Sequence, residues 1–462
     1  MSRDQGSTVD GAYDIVIVGA GPAAVAALGA MAQGPRIAVV TGAVPSAEKR
    51  ASLHPKIQAV SLAQDEAAGV AERIGGTGRR SRPLFSTAAV GGLANYWGQQ
   101  FVRESDAWPR DAFADFPAYE RACARIERLF TLEGGEPVSP GLFGEGFRLS
   151  RPRLLAGASA GEGTGLSGMR LAFASAAASG GAQVVARRAR RLLPAGARWA
   201  VELDDGSRLV APRVLLAAGV IGDGQILLRS FPDLEALRFR DHTPWLLFTL
   251  GAKRHFPALA AGPRPFNALT VQQDTPGGCD LFASFYDMRG ADLNLLLAST
   301  LGRAHPRLRG WPSPPGAGLV TPVQVWTPDT YGSVEIARVG GEAAFTSEPA
   351  SADGPDAGLA EFASRLGRLG CRILRAKRTE PAFGYHYHDL RLRQRDGGGW
   401  SNVADLLQDR TGGVVVCVDA ADLGRIGCRP HTLTVMARAL VRAEMALEPR
   451  RAVPPFATVR HA

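Results

Sequence analysis

Residues 13–31, YDIVIVGAGPAAVAALGAM, constrain this chain more than any other stretch. Ile15–Val18 is a short, fully apolar run, the pattern of a strand buried on both faces of a parallel sheet. Gly19, Ala20, Gly21, Pro22, Ala23 and Ala24 follow as a G-x-G-x-x-A turn that opens an alanine-rich helix. Gly19 permits the tight exit from the strand, Gly21 leaves room for a pyrophosphate against the backbone, and Ala24 lets helix and sheet pack closely. The helix N-terminus, with Pro22 and Ala23 in its first turn, then offers free N–H groups and a positive dipole end to phosphate. Strand, glycine turn and helix in this order predict a dinucleotide site. The second strand, 37–40, ends at Thr41, where this motif ordinarily carries an acid for the adenosine ribose. Thr41 offers a hydroxyl without charge, which weakens the case for a nicotinamide dinucleotide and costs ribose binding roughly 1 kcal/mol.

A chain of 462 residues, 45% hydrophobic, is long enough for two domains, or for one large domain with an inserted lobe. Its formal net charge of +9 raises the question of nucleic acid. The basic residues are almost all arginine, with only Lys49, Lys56, Lys253 and Lys377 as lysines. The densest cluster, Arg187, Arg188, Arg190 and Arg191, has no interleaved aromatics on which bases would stack. A solvated strand edge accounts for it, and no nucleic-acid partner is expected. Five cysteines form no C-x-x-C pair and their number is odd. Neither a zinc site nor a disulfide framework is expected, and a reducing compartment fits. Cys417 sits in VVVCV and reads as core. Residues 1–12 are polar, with no secretion signal, and no apolar stretch reaches the roughly 18 residues of a membrane span. The expectation is a soluble, cytoplasmic protein without a metal, acting on a small molecule.

Along the chain, VLLAA at 214–218 followed by Gly219 and a helical run over 223–229 forms a second strand–glycine–helix element. Ahead of it, 198–210 alternates as a hairpin arm turning at Asp204, Asp205 and Gly206. Residues 241–375 differ in texture, with strand-like runs at Trp245–Leu250, 293–297 and 333–336 separated by proline and glycine. A helix over 432–446 closes the chain. The implied class is α/β, with a discontinuous Rossmann-like cofactor domain at 1–240 and 376–462. A sheet-based substrate-binding domain occupies 241–375.

Three further segments carry chemistry. GGLANYWG, 91–98, is a backbone-exposed loop able to lie against a flat ring. VVVCVDAAD, 414–422, is an apolar strand delivering Asp419, followed by GRIGCRPHTLTVMA at 424–437. GYHYHDL, 384–390, places His386 and His388 together in a chain with eight histidines. In this order and spacing the segments resemble the glucose–methanol–choline family of flavin oxidoreductases over nearly the whole chain. Trp108, Pro109, Tyr119 and Glu120 resemble its "WP…Y…E" segment, and Ala217, Ala218 and Gly219 its A-A-G element. Asp241 and His242 resemble the Asp-His that opens its substrate domain, and YGSVEI at 331–336 resembles a strand of that domain. The close resembles its "NPtlTimAlA" end.

The resemblance implies FAD. Gly19, Gly21 and Ala24 would take the pyrophosphate, Gly91, Gly92 and Asn95 would approach the isoalloxazine, and the Val185 backbone would meet adenine. Ala218 belongs to the same cofactor rim. Asp419 would hold the ribityl–phosphate end, with His431 and Thr432 beside the flavin. Family members with covalent FAD use a histidine near the glycine–tryptophan loop. Asn95 and Tyr96 stand there, so dissociable FAD is expected; His54 is a remote second candidate for attachment.

The implied reaction is oxidation of a hydroxyl, in which a neutral histidine removes its proton while hydride passes from carbon to flavin N5. His431 fits the partner that shares the alkoxide-like oxygen. Either His386 or His388 is the base, with His386 favoured. The family's H-x-x-G-T-x-R-M lacks its Gly-Thr here, since His386 is followed by Tyr387, His388, Asp389 and Leu390. Two alternatives accompany the reading: a flavin-dependent lyase or isomerase on the same scaffold, and a catalytically silent flavin-binding protein.

Overall fold

Four consecutive buried apolar residues cannot pair with water on either face, and Ile15–Val18 accordingly forms the middle of a five-stranded parallel sheet. The computed structural model describes residues 13–31, 34–42, 71–74, 84–96, 100–104, 113–138, 141–155, 165–255, 267–275, 278–286, 319–328, 330–339, 342–348, 357–379, 381, 386–395 and 398–448. Across this sheet the strands run Val415–Cys417, Val214–Leu216, Ile15–Val18, Ile37–Thr41 and Gln183–Ala186. Numbered by position in the chain, that order is 5-4-1-2-3, the doubly wound arrangement in which the order reverses beside the first strand. Ligands in such sheets bind outside the strands' carboxyl ends at that reversal. The fifth strand arrives from residue 415, so this sheet is assembled from segments far apart in the chain.

The helix Pro22–Ala30 buries Ala23, Ala24, Val25, Ala26, Ala27 and Leu28. Its small side chains let it lie close to the last helix, Thr432–Leu447, which presents Ala437, Ala439, Ala443 and Ala446 as buried residues. The helix expected over 223–229 runs from Gly219 to Ser230. The expected hairpin is present: Arg198–Leu203 pairs with Arg208–Ala211, and Gly206 takes the turn at φ 84°. Arg191 and Arg187 sit at this small sheet's edge, paired with Glu202 and Asp205. That is the solvated edge the sequence implied.

Two larger antiparallel sheets and two short two-stranded ones make up the rest. The first contains five strands in the order Glu342–Glu348, Tyr331–Val339, Leu234–His242, Tyr387–Gln394 and Trp400–Asn402. The second contains six, in the order Arg372–Arg378, Trp245–Leu250, Val320–Trp326, Gly278–Tyr286, Asn267–Thr275 and Phe147–Ser150. One face of the six-stranded sheet is apolar, carrying Leu149, Leu247, Leu269, Val271, Leu281, Phe285 and Val323, and packs with Phe362 and Leu366 of the helix Ala357–Arg368. The sequence division at 240/241 therefore differs from the topology in two ways. Phe147–Ser150 joins the far sheet, because its alternating Phe147 and Leu149 belong to that core. Leu234–His242 also runs through the division as one unbroken strand. The strand expected at 293–297 lies outside the described residues.

All five cysteines are buried and none is in a disulfide. Among the described residues no helix is long and apolar enough to cross a membrane.

Gly19 is the position on which the parallel sheet tolerates least change. It has φ 113°, and a Cβ there would stand 2.2 Å from the Ala217 carbonyl oxygen, which is backbone and unable to give way. Gly19→Ala is expected to lower the urea unfolding free energy by roughly 3 kcal/mol. A midpoint within error of the parent's would refute that packing.

Candidate functional site

The carboxyl ends of the first two strands are bridged by the loop carrying Gly91 and Gly92. The Gly91 N–H donates to the Ala20 carbonyl at 2.8 Å, and the Gly42 N–H donates to the Ala88 carbonyl at 2.8 Å. Gly91 and Gly92 both have positive φ, 94° and 55°. A Cβ on Gly92 would meet the Gly21 Cα at 3.2 Å, so phosphate turn and loop come together as bare backbone. The helix that follows has Gly21 as its cap, no capping side chain and no acid in its first turn. Its leading N–H groups thus remain available to an anion. Asn95 is nearly fully buried and its Nδ2 donates to the Val90 carbonyl at 3.0 Å, while its Oδ1 has no partner. A glycine cradle, an uncapped helix N-terminus and an unfilled amide oxygen fit the diphosphate and ring of FAD.

Thr41 is buried, and its hydroxyl donates to the Ala88 carbonyl at 2.8 Å. Its proton is thus committed to the loop, leaving only the oxygen lone pairs toward a ribose. Beside it the Arg188 side chain lies over Gly42, 2.8 Å from where a Cβ would be. The Val185 backbone pairs with Val40 at the sheet edge, next to this end of the site. The arginine was visible in the sequence only as part of a basic cluster.

Asp419 tightens the rim from the other side. Its Oδ2 accepts the Gly219 N–H at 2.7 Å and its Oδ1 accepts the Ala421 N–H at 2.9 Å. Asp223, fully buried, accepts the Ala218 N–H at 3.0 Å. Burial and the Asp419 carboxylate push Asp223 well above the ordinary carboxyl range, burial raises Asp419 as well, and the two carboxyls hydrogen-bond to each other. The buried Cys417 thiol lies against both carboxyls, and burial pushes it up as well. Among the described residues this is the one group close enough to hold a metal. Its oxygens are already engaged by backbone N–H groups and a shared proton.

The histidines meet beyond the start of the closing helix. His431 caps that helix, directly before Thr432, and both are half-buried. The His386 and His431 ring centroids are 4.9 Å apart. Asp241 accepts the His386 backbone N–H at 2.9 Å and so anchors the residue to the neighbouring strand. His388 lies beneath, fully buried, with its Nδ1–H donated to the His386 carbonyl at 2.9 Å and the Tyr331 ring 4.8 Å away. His242, also fully buried, donates its Nε2–H to the Thr327 carbonyl at 2.9 Å. The structure thus brings His386 and His431 together and places His388 as support beneath them.

The bulge that directly follows His388 was not legible. Asp389 has φ 52°, the only non-glycine positive φ among the described residues, and the ladder to Leu234–His242 shifts register there. Asp389 stands at the glycine position of H-x-x-G counted from His386. It is buried and paired with Arg240 at 3.3 Å and Arg391 at 3.1 Å. Aspartate tolerates this left-handed conformation better than most residues. Trp326, stacked on His386 at 5.7 Å and 24°, was also missed, because a tryptophan ending an apolar strand reads as core. His54, Trp97, Gly98, Trp108 and Pro109 lie outside the described residues, and nothing is described of the Tyr96 side chain.

No family model matches the chain, and no curated protein matches it. Among solved structures, the pyridoxine 4-oxidase from Mesorbium loti matches with a TM-score of 0.59 and 14% identity. The match covers 94% of this chain and 99% of that one. At this identity the likeness is one of fold: the chain is a mixed α/β protein, with a parallel Rossmann-type sheet and several antiparallel sheets, that shares its fold with that oxidase.

Two predictions follow the titrating and strained groups. Burial holds His431 down to about 4 and His242 to about 3, against 6.5 for a free imidazole, and keeps His388 well below 6.5 too. Between pH 6.5 and the folded values the unfolded chain binds more protons. Stability is therefore complete above pH 6.5 and lost as pH falls, by up to ~1.4 kcal/mol per pH unit for each group. Urea titrations at pH 7, 6 and 5 are expected to show this decline, shallower in His431→Asn; a flat profile contradicts it. At the bulge, Asp389→Ala is expected to be less stable than Asp389→Gly by about 1 kcal/mol, although both delete the same carboxylate. Equal midpoints would mean that φ at 389 carries no strain.

Proposed function

We propose that this chain is an FAD-dependent oxidoreductase that oxidises a hydroxyl group of a small organic molecule. The observation carrying the reading is the His386–His431 pair, 4.9 Å between ring centroids, at the N-terminus of a helix that packs on the nucleotide-site helix. The fold shared with an oxidase of pyridoxine supports it. Gly19, Gly21, Pro22, Ala23 and Ala24 would hold the diphosphate, Gly91, Gly92 and Asn95 the ring, and Thr41, Val185 and Ala218 the remaining rim. Asp419 would act through the Gly219 turn that it ties down. When bound, FAD supplies the hydride acceptor at N5.

The chain's own part is proton handling and orientation. His386 is the base: its backbone is fixed by Asp241, and its ring is half-buried beside His431 rather than sunk beneath the pair like His388. A base must reach the hydroxyl proton, and His388, held by its Nδ1–H on the His386 carbonyl, is fully buried. His431, neutral above about pH 4, shares the substrate oxygen without bringing a charge of its own. Trp326 closes the other face of the base and excludes water there. FAD is held without a covalent bond, and the substrate is a small molecule, a secondary-metabolite intermediate by analogy of architecture.

The purified protein is expected to show flavin bands near ~375 and ~450 nm that heat precipitation releases into solution. Under anaerobic conditions an accepted alcohol bleaches the ~450 nm band, and His386→Ala slows bleaching by about 10²- to 10⁴-fold with the flavin still bound. Turnover without net bleaching would favour the lyase or isomerase alternative. A colourless protein that refuses added FAD would remove the reading.

A further inference from the structure

Trp326 ends the strand Val320–Trp326 of the six-stranded sheet and points away from that sheet's apolar core, opposite in facing to Val323 and Val325. Across the ladder it pairs with Phe282, with ring centroids 5.9 Å apart, in a small cluster with Val102, Cys279 and Cys428. It is 4% exposed. Its other face lies nearly parallel to the His386 imidazole. An indole has one polar atom, a donor, and buried indoles ordinarily spend it on an acceptor. Here Nε1 is buried and has no hydrogen-bond partner. The Nδ1 of His431, on the other side of His386, is likewise buried without a partner. Two unfilled ring nitrogens thus flank the base, and a buried donor left unmade is costly enough to require an explanation.

We propose that Trp326 is a substrate-recognition residue, whose Nε1–H donates to an acceptor atom that the substrate carries beside its reacting hydroxyl. This rests on the alcohol-oxidation reading and narrows it. The favoured substrate is an alcohol bearing a ring nitrogen, carbonyl or ether oxygen, and a plain hydrocarbon alcohol leaves the donor unmade. Discrimination follows from the asymmetry of buried hydrogen bonds: an analogue lacking the acceptor forfeits the bond and leaves the N–H desolvated.

The test uses the ¹⁵N-labelled holoprotein, in which seven tryptophans give separate indole N–H resonances. The Trp326 peak is the one lost in Trp326→Phe, and persistence of the other six shows that the variant is folded. Wild type and variant are titrated with 2-, 3- and 4-pyridinemethanol and with benzyl alcohol, which match in size and carbinol but differ in the acceptor. The expected result is a downfield shift of the Trp326 peak with at least one pyridine alcohol and none with benzyl alcohol. Trp326→Phe should weaken that pyridine alcohol about tenfold more than it weakens benzyl alcohol. The proposal is overturned if no probe moves the peak, or if both kinds of alcohol bind wild type equally. It is also overturned if FAD alone shifts the peak and no alcohol adds to the shift, since the cofactor is then the acceptor. Bleaching at ~450 nm in the same samples reports separately on the oxidation reading.

Discussion

The hydrogen bond from the Gly219 N–H to Asp419 ties together segments 200 residues apart, and the rest of the arrangement depends on it. It joins the turn after the fourth strand to the end of the fifth, so that both carboxyl ends stop at one level. The polypeptide leaving Asp419 then reaches His431 within a dozen residues and enters the closing helix. A carboxylate in so buried a place is stable only because the Gly219 and Ala421 N–H groups absorb its charge. The position of His431 is in this sense a consequence of where one negative charge is tolerated.

The same economy appears in the glycine contacts. The glycine turn at 19–21 and the loop at 91–92 approach as bare backbone, which only glycine allows. Alanines on the first and last helices let the two pack closely. Small residues thus set the distance between the glycine turn and the histidines, and large ones fill the lobe behind.

Much of this could be read in the chain. The run Ile15–Val18, the glycine turn and the second element at Val214–Leu216 form the sheet as expected, because local periodicity and tertiary burial agree there. His386 and His431, 45 residues apart in the chain, lie with their ring centroids 4.9 Å apart. What escaped was non-local. Phe147–Ser150 has the alternation of any half-buried strand, and nothing in it names a partner 120 residues away. Asp389 conceals a left-handed bulge, because the glycine that usually announces one is replaced by an aspartate held between two arginines. Trp326 looks like core until its stacking partner is known.

The strand Leu234–His242 ends two residues before Trp245–Leu250 begins. Those two, Thr243 and Pro244, are themselves fixed. The Thr243 N–H donates to the Thr330 carbonyl at 2.9 Å, and the Pro244 carbonyl accepts from both the N–H and the hydroxyl of Thr379, each at 2.9 Å. A hinge requires residues free to change their backbone angles. This junction has none to spare, so the lobe that carries Trp326 and the sheet that carries His386 turn as one block. The spacing between indole and imidazole is set when the chain folds, and no domain closure is needed to assemble it.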